Sequence, residues 1–189
     1  MKDRYTKMLQ LVKKAHAGQS RNNGAVPYWR HCYRTAQLLA WAIDQGKELP
    51  KLEKDNIILA ALGHDLYEDT DVSRQEIVDI FGVPVDDLIY EVTNESGDSK
   101  IDNYIKKLKK DSQLALLIKL ADLSDNAWDS AYSLHENGRA KTVRWQKILN
   151  EQWRFLSKKN FSIYPRTAEL LRNGCAMAFK QLEAVLALK

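Results

Sequence analysis

The feature that most constrains this chain is the apolar run Asn56-Ile57-Ile58-Leu59-Ala60-Ala61-Leu62-Gly63, which leads directly into His64-Asp65-Leu66-Tyr67-Glu68-Asp69-Thr70. The run reads as a mostly buried helix, and carrying that helix into a His-Asp pair drives ionisable groups toward the core. An unpaired buried charge costs several kcal/mol. One imidazole and three carboxylates within six positions therefore require a cation or a tight hydrogen-bond network around them.

A length of 189 residues suits one domain with a sizeable core and is too short for two full ones, so the expectation is a single domain over residues 1–189. Hydrophobic residues at 44% and charged residues at 29% are ordinary for a globular protein and suggest neither disorder nor a membrane span. No stretch of about 18 uncharged apolar residues occurs. The N-terminus, Met1-Lys2-Asp3-Arg4-Tyr5, has no signal-peptide core. A soluble, cytoplasmic protein with no membrane partner is expected. Cys32 and Cys175 stand far apart, which argues against a zinc knuckle or a disulfide framework and fits a reducing compartment. The net charge of +4 is spread along the chain and is too small to argue for DNA or RNA binding. Lys106-Lys107-Leu108-Lys109-Lys110 reads as a solvated helix face that could still attract an anionic substrate.

Only eight glycines and four prolines punctuate the sequence, which favours helices. Tyr5, Met8, Leu9 and Val12 set a helical period over residues 3–16, ended by the polar stretch from Gly18 to Gly24 and a loop closed by Pro27. From Tyr28 to about Asp44 a second period places His31, Thr35, Leu38 and Ala42 on one inward face. After a linker from Lys47 to Lys54 comes the helix carrying His64. Ser73-Arg74-Gln75-Glu76 has the pattern of a capping box, and the short helix it opens stops at Gly82, with Pro84 starting the next. Residues 85–93, 100–110, 114–132, 139–157 and 166–188 read as further helices; the one over 114–132 buries Leu117, Leu120, Ala121 and Trp128. With no period-2 strand and no internal repeat, the fold class is all-α.

Of the four histidines, His31 and His64 sit on apolar helical faces. A lone core histidine is usually just a hydrogen-bonded core residue. Here a third helix adds Leu117-Ile118-Lys119-Leu120-Ala121-Asp122, another apolar run that acquires an aspartate near its buried face. Two imidazoles with Asp65 and Asp122 make a mixed nitrogen and oxygen donor set, suited to a divalent transition ion with open water positions. Such an ion acidifies water and polarises a phosphoryl oxygen, so phosphoester or pyrophosphate hydrolysis is the natural chemistry. Blander readings stand beside this one. Glu68 and Asp69 read equally as helix-end and turn residues, Arg21 as a solvated loop residue and Lys119 as a helix-surface charge. His16 reads as a structural histidine, His135 as a solvated helix end, and Trp41, Trp145 and Trp153 as core or interface rather than base-stacking residues.

The order His31, then His64-Asp65, then Asp122 resembles the H…HD…D signature of the HD superfamily of metal-dependent phosphohydrolases, which is all-helical. Glu68-Asp69-Thr70 after the His-Asp pair, and Lys119-Leu120-Ala121-Asp122 with Asn126, are similar to the HD-x-x-EDT and KLAD-x-x-x-N motifs of RelA/SpoT-type alarmone hydrolases. The same holds for His16-Ala17-Gly18-Gln19-Ser20-Arg21, Pro27-Tyr28 with His31, Phe81-Gly82 and Glu91-Val92-Thr93. The resemblance spans about residues 5–135, with the helices of 139–188 beyond it, and implies an HD-domain helical bundle.

By that resemblance the protein would hydrolyse the 3′-pyrophosphate of (p)ppGpp to GDP or GTP and pyrophosphate. It would be a stand-alone small alarmone hydrolase like the metazoan SpoT homologues, since no synthetase domain lies within the chain. His31, His64, Asp65 and Asp122 would bind the ion, Mn2+ by preference, with Fe, Co, Ni, Zn or Mg as alternatives. Glu68 and Asp69 would orient or deprotonate the attacking water, and Arg21, Lys119 and Asn126 would contact the small nucleotide substrate. Three departures leave that substrate open: Leu123 stands where a basic residue is common, Asn126-Ala127-Trp128 replaces N-x-R, and Thr93-Asn94-Glu95 replaces T-D-D. An HD-type nucleotidase or NADPH-type phosphatase is one alternative, and a non-catalytic nucleotide-sensing module is another of a different class. Homo-oligomerisation is left open.

Overall fold

A computed structural model describes residues 2–21, 24, 26–94 and 101–188 of the chain. In order, it contains α1 (Lys2–Ala15), β1 (Ser20–Arg21), β2 (Val26–Pro27), α2 (Trp29–Gly46), α3 (Lys51–Leu62), α4 (Leu66–Asp69), α5 (Arg74–Phe81) and α6 (Val83–Val92). It continues with α7 (Ile101–Leu108), α8 (Gln113–Tyr132), α9 (Leu134–Asn137), α10 (Arg139–Leu156) and α11 (Pro165–Ala187). The all-α class read from the sequence holds. The one sheet among the described residues is the antiparallel pair β1–β2, with Ser20 opposite Pro27 and Arg21 opposite Val26. Two-residue strands are too short to leave an alternating pattern, so the sequence showed only a loop there. Asn22 and Asn23 of that loop, Glu95 and the first residue of the helix expected over 100–110 lie outside the described residues.

α8 is the axis of the bundle. It is buried from Ala115 through Asp125, and α2, α3, α6, α10 and α11 pack around it. Ser112 caps it, its hydroxyl accepting from the Ala115 N–H at 3.2 Å. A helix enclosed on all sides has no single inward stripe, so Leu116, Ile118 and Leu123 are as buried as Leu117, Leu120 and Ala121. Trp128 is not part of that core; it is half-buried and stacks on exposed Tyr132, ring centroids 5.5 Å apart. On α2 the buried stripe runs through His31, Cys32, Thr35, Ala36, Leu39, Ala42 and Ile43, while Leu38 is only half-buried. Both cysteines are free and buried.

Local chemistry sets the element ends. Pro50, at φ −59°, begins α3 at Lys51, shortening the expected linker. Ser73 accepts from the Glu76 N–H at 3.2 Å, as the capping-box pattern anticipates, and Gly82 at φ +86° ends α5 and opens α6. α4, α5 and α6 are pinned together by the buried carboxylate of Asp86, which accepts from Tyr67 Oη at 2.6 Å and from Arg74 Nε at 3.0 Å. The Arg74 hydrogen bond, with that from Tyr67, holds the Asp86 carboxyl below its ordinary range against the opposing effect of burial. No described helix is long and apolar enough to cross a membrane.

α11 docks onto the end of α2 through two devices. The Glu48 carboxylate accepts from the Arg166 and Thr167 N–H groups at 2.9 and 2.8 Å, capping the N-terminus of α11 with an anion. Gly46 lets the two backbones meet, because a Cβ there would lie 3.1 Å from Thr167 N and 3.3 Å from Thr167 Cα. Rotating Thr167 cannot relieve a clash with its own backbone. Gly46→Ala should therefore destabilise the fold by about 1–3 kcal/mol despite alanine's higher helix propensity, read as a lowered midpoint in thermal or urea unfolding.

Candidate metal and catalytic site

His64 and Asp65 are not on a helix. α3 stops at Leu62, and residues 63–65 form a tight turn into α4, where the sequence pattern had continued the helix through His64. Gly63 is the C-cap, its N–H donating to Leu59 O and Ala60 O, and it is closely packed. A Cβ there would lie 3.0 Å from Ile89 Cδ1, 3.1 Å from Leu66 Cδ1 and 3.2 Å from Met8 Sδ, so those side-chain ends would have to give by a few tenths of an ångström. The turn pulls the His64 ring back so that Nδ1 lies 2.8 Å from Ala61 O. A carbonyl can only accept, so Nδ1 carries a proton and Nε2 faces the interior. His31 on α2 is arranged alike, with Nδ1 2.7 Å from Asp125 Oδ2.

The two Nε2 atoms meet at 3.2 Å. Around them stand Asp122 Oδ1 at 3.0 Å from His31 and 3.5 Å from His64, and Asp65 at 3.5 Å from His31 and 3.2 Å from His64. These separations can be compared with metal coordination. Ligand bonds of about 2.1 Å put neighbouring donors roughly 3.0 Å apart at octahedral angles and roughly 3.4 Å apart at tetrahedral ones. The chain's own spacings run from 3.0 to 3.5 Å, close to that interval, and one donor atom each from buried His31, His64 and Asp65 lie within 4.8 Å of one another. The arrangement fits a divalent ion. All four residues that the sequence nominated as ligands come together here from α2, the 63–65 turn and α8.

The charges at this centre compensate one another. Burial opposes ionisation of Asp122, but the Lys119 ammonium and hydrogen bonds from both imidazoles hold it well below the ordinary carboxylate range. Burial likewise opposes charge on His64, yet the Asp65 and Asp122 carboxylates raise it to about 9. Lys119 is no surface residue: it is buried, its Nζ lies 2.7 Å from Asp122 Oδ2, and it stands 5.0 Å from the centroid of the Tyr104 ring. Burial alone would lower its pKa, and the negative charge of Asp122 drives it up instead.

Glu68 and Asp69 lie on α4 beside the centre. They line a cavity of about 400 Å³ together with Tyr28, His31, Asp65 and Asp122. Glu68 is open to that cavity, and its Oε1 accepts from the Asn94 N–H at 2.6 Å. Partial desolvation, reinforced by the Asp65 and Asp122 charges, lifts its carboxyl to about 7 against the pull of Lys119. Desolvation also raises Asp69, whose backbone carbonyl accepts from Gln19 Nε2 at 2.6 Å. His16 has the structural role expected of it: it is buried, Nδ1 lies 2.7 Å from Gln19 Oε1, and its ring stacks on Tyr28 at 4.8 Å.

The proposed substrate contacts Arg21, Lys119 and Asn126 all line the same cavity. Arg21 Nη2 donates to Asn126 Oδ1 at 2.6 Å, Asn126 Nδ2 donates to Asp122 Oδ1 at 2.6 Å, and Arg21 Nε is 3.3 Å from Asp129 Oδ2. Of the departures, Leu123 is in the core and Trp128 lies off the cavity wall, so neither lines the site. Thr93 is buried and Asn94 holds Glu68 through its backbone.

Sequence reasoning missed the far wall of the cavity, formed by Ser133, Asn137, Lys141, Trp145, Leu149 and Gln152. Trp145 is 38% exposed at the rim rather than packed in the core. Lys141, Trp145 and Leu149 recur every four residues along α10, so a shared helical face was the available signal, but nothing local says that the face looks into a site. Trp41 is half exposed as well, whereas Trp153 does pack, stacking on Phe179 at 5.5 Å.

An all-helical bundle that converges H…HD…D residues on a buried centre of this geometry defines a protein with a divalent-metal site of the HD type. The chain belongs to the HD-domain family, whose model matches residues 9–127. Among its relatives is a protein of Mycoplasma pneumoniae named as a probable guanosine-3′,5′-bis(diphosphate) 3′-pyrophosphohydrolase, 30% identical over 165 residues, or 86% of this chain and 21% of that protein. Another is MESH1 of Drosophila melanogaster, named as a guanosine-3′,5′-bis(diphosphate) 3′-pyrophosphohydrolase, 32% identical over 67% of this chain and 69% of that protein. The chain thus spans about a fifth of the first and two thirds of the second. A solved structure described with the words "A metazoan ortholog of SpoT hydrolyzes ppGpp and plays a role in starvation responses" superposes with a TM-score of 0.74 at 23% identity, covering 94% of each chain.

Lys119 is the covalently attached counter-cation of the centre. Lys119→Met should lower the stability of the metal-free protein by roughly 3 kcal/mol, since it strands the buried Asp122 carboxylate against one fewer positive charge; urea unfolding in a chelator checks this.

Proposed function

We propose that this protein hydrolyses the 3′-pyrophosphate of (p)ppGpp, consuming one water and yielding pyrophosphate with GDP or GTP. The observation that carries the proposal is the set of four donors at metal-ligand spacing, opening onto a cavity in which Glu68 and Asp69 stand beside them. The names of the Mycoplasma and Drosophila relatives support the same substrate. On this reading the catalytic unit is one domain that includes α10 and α11, because α10 supplies the far wall of the cavity.

His31, His64, Asp65 and Asp122 would hold the ion; the mixed nitrogen and oxygen set with open positions suits a divalent transition ion, and the resemblance to alarmone hydrolases implies Mn2+. Such an ion supplies Lewis acidity, acidifying water and offsetting charge on the phosphoryl oxygens. The chain's own residues do the rest. Glu68, held near 7 by its surroundings, accepts a proton from the attacking water, and the Asn94 N–H fixes the carboxylate's orientation. Asp69 aids in placing that water. Lys119 and Asn126 flank Asp122 on the phosphate side, Arg21 faces the nucleoside, and Lys141 with Trp145 offers a cation and a flat aromatic surface at the cavity's outer end.

One observation favours a second reading. Arg21 is tied to Asn126 and Asp129 and Lys119 to Asp122, so two cations nearest the centre are already engaged with protein groups. A substrate with fewer phosphates, as for an HD-type nucleotidase or NADPH-type phosphatase, would demand less of them. A sensing module is disfavoured, because all four donors are present.

Purified protein with Mn2+ is expected to release pyrophosphate from ppGpp, and to lose that activity in a chelator. Orthophosphate from nucleoside monophosphates or NADPH without any turnover of ppGpp would sink the alarmone reading. Tight nucleotide binding without turnover in any metal would favour a sensor. Glu68→Gln should reduce kcat by roughly 10²–10⁴-fold while leaving Mn2+ affinity near that of the unaltered protein, since it removes the proton acceptor and not a donor to the ion.

A further inference from the structure

Four residues at the crossing of α2 and α8 form a matched pair of i, i+3 steps: His31 with Arg34 on α2, and Asp122 with Asp125 on α8. Asp122 Oδ1 approaches Nε2 of His31 at 3.0 Å, and Asp125 Oδ2 takes Nδ1 of the same ring at 2.7 Å. Asp125 is in turn gripped from its other side. Arg34 Nε donates to Asp125 Oδ1 at 2.6 Å and Arg34 Nη2 to Oδ2 at 2.8 Å, a two-point clamp, and the same Nη2 reaches Asp129 Oδ1 at 3.1 Å.

The contrast with His64 gives this clamp its meaning. His64 is oriented by a backbone carbonyl three residues back, which any sequence forming the turn would provide. The orientation of His31 depends on side chains from two helices. The geometry points to Asp125, locked by Arg34, as a positioning residue that holds the His31 ring by Nδ1 with Nε2 turned toward the centre and thereby sets the protein's affinity for its divalent ion. Outer carboxylates in this position raise the basicity of the imidazole and remove its rotational freedom. The inference rests on the metal-centre reading above, and adds to it a residue that does not touch the ion.

The test is a titration of metal-free protein with Mn2+, free Mn2+ being followed by electron paramagnetic resonance, alongside thermal unfolding with and without the ion. Asp125→Ala is expected to bind Mn2+ about 10–100-fold more weakly. Its activity should recover as Mn2+ is raised, with the substrate KM little changed, a rescue that a merely structural ion pair would not show. Arg34→Met, at a half-exposed position, should weaken Mn2+ in the same direction by a smaller factor, and decides the matter if Asp125→Ala does not fold. Wild-type affinity in both variants, or lost activity that excess Mn2+ does not restore, overturns the assignment. Wild-type protein that takes up no Mn2+ is a separate result, which removes the metal centre itself and this inference with it.

Discussion

Everything in this molecule turns on one electrostatic problem: how to keep Asp122, Asp65 and two imidazoles together inside a helical bundle. Hydrophobic packing cannot compensate for that. The bundle instead places a lysine, Lys119, one turn before Asp122 on the same buried helix, and faces the carboxylate with two imidazoles. The resulting cluster is close to balanced without an ion and has both Nε2 atoms aimed inward, so a divalent cation can enter by displacing protons from donors that are already in place.

The neighbourhood extends that balance outward. Glu68 and Asp69 lie at the boundary between the buried centre and the open cavity, where partial desolvation keeps a carboxyl near neutrality. Their placement depends on α4, a four-residue helix that could not persist alone; Tyr67, Asp86 and Arg74 pin it to α5 and α6. Further out, Arg21, Asn126 and Asp129 form a chain from the β1 loop to α8 and on to Asp122. The residues proposed for substrate contact and those proposed to hold the ion are therefore joined by direct hydrogen bonds.

Much of the centre was legible in the chain. His64, Asp65 and Asp122 follow apolar runs and His31 lies on an apolar helical face; such patterns mark burial directly. The errors came where local pattern and tertiary demand diverged. The apolar run suggested a helix continuing through His64, whereas the helix stops at Leu62 and Gly63 caps it, closely packed by Met8, Leu66 and Ile89. Lys119 looked solvated because lysine usually is, and only the meeting of α8 with the centre buried it. Trp145 looked like packing because a tryptophan at helical spacing carries no sign of which side faces a cavity.

By itself the sequence determined the helical class, the approximate extent of most helices, the caps at Ser73 and Gly82, and the identity of the four inward donors. Those properties are carried by periodicity and by residue chemistry within a turn or two, where the chain's own geometry decides who is near whom. The tertiary structure alone decided that Asp125, 94 residues away in sequence, grips His31, that Arg34 holds Asp125, and that α10 supplies the far wall of the cavity. These contacts exist only once helices cross, and the crossing is set by packing summed over the whole bundle.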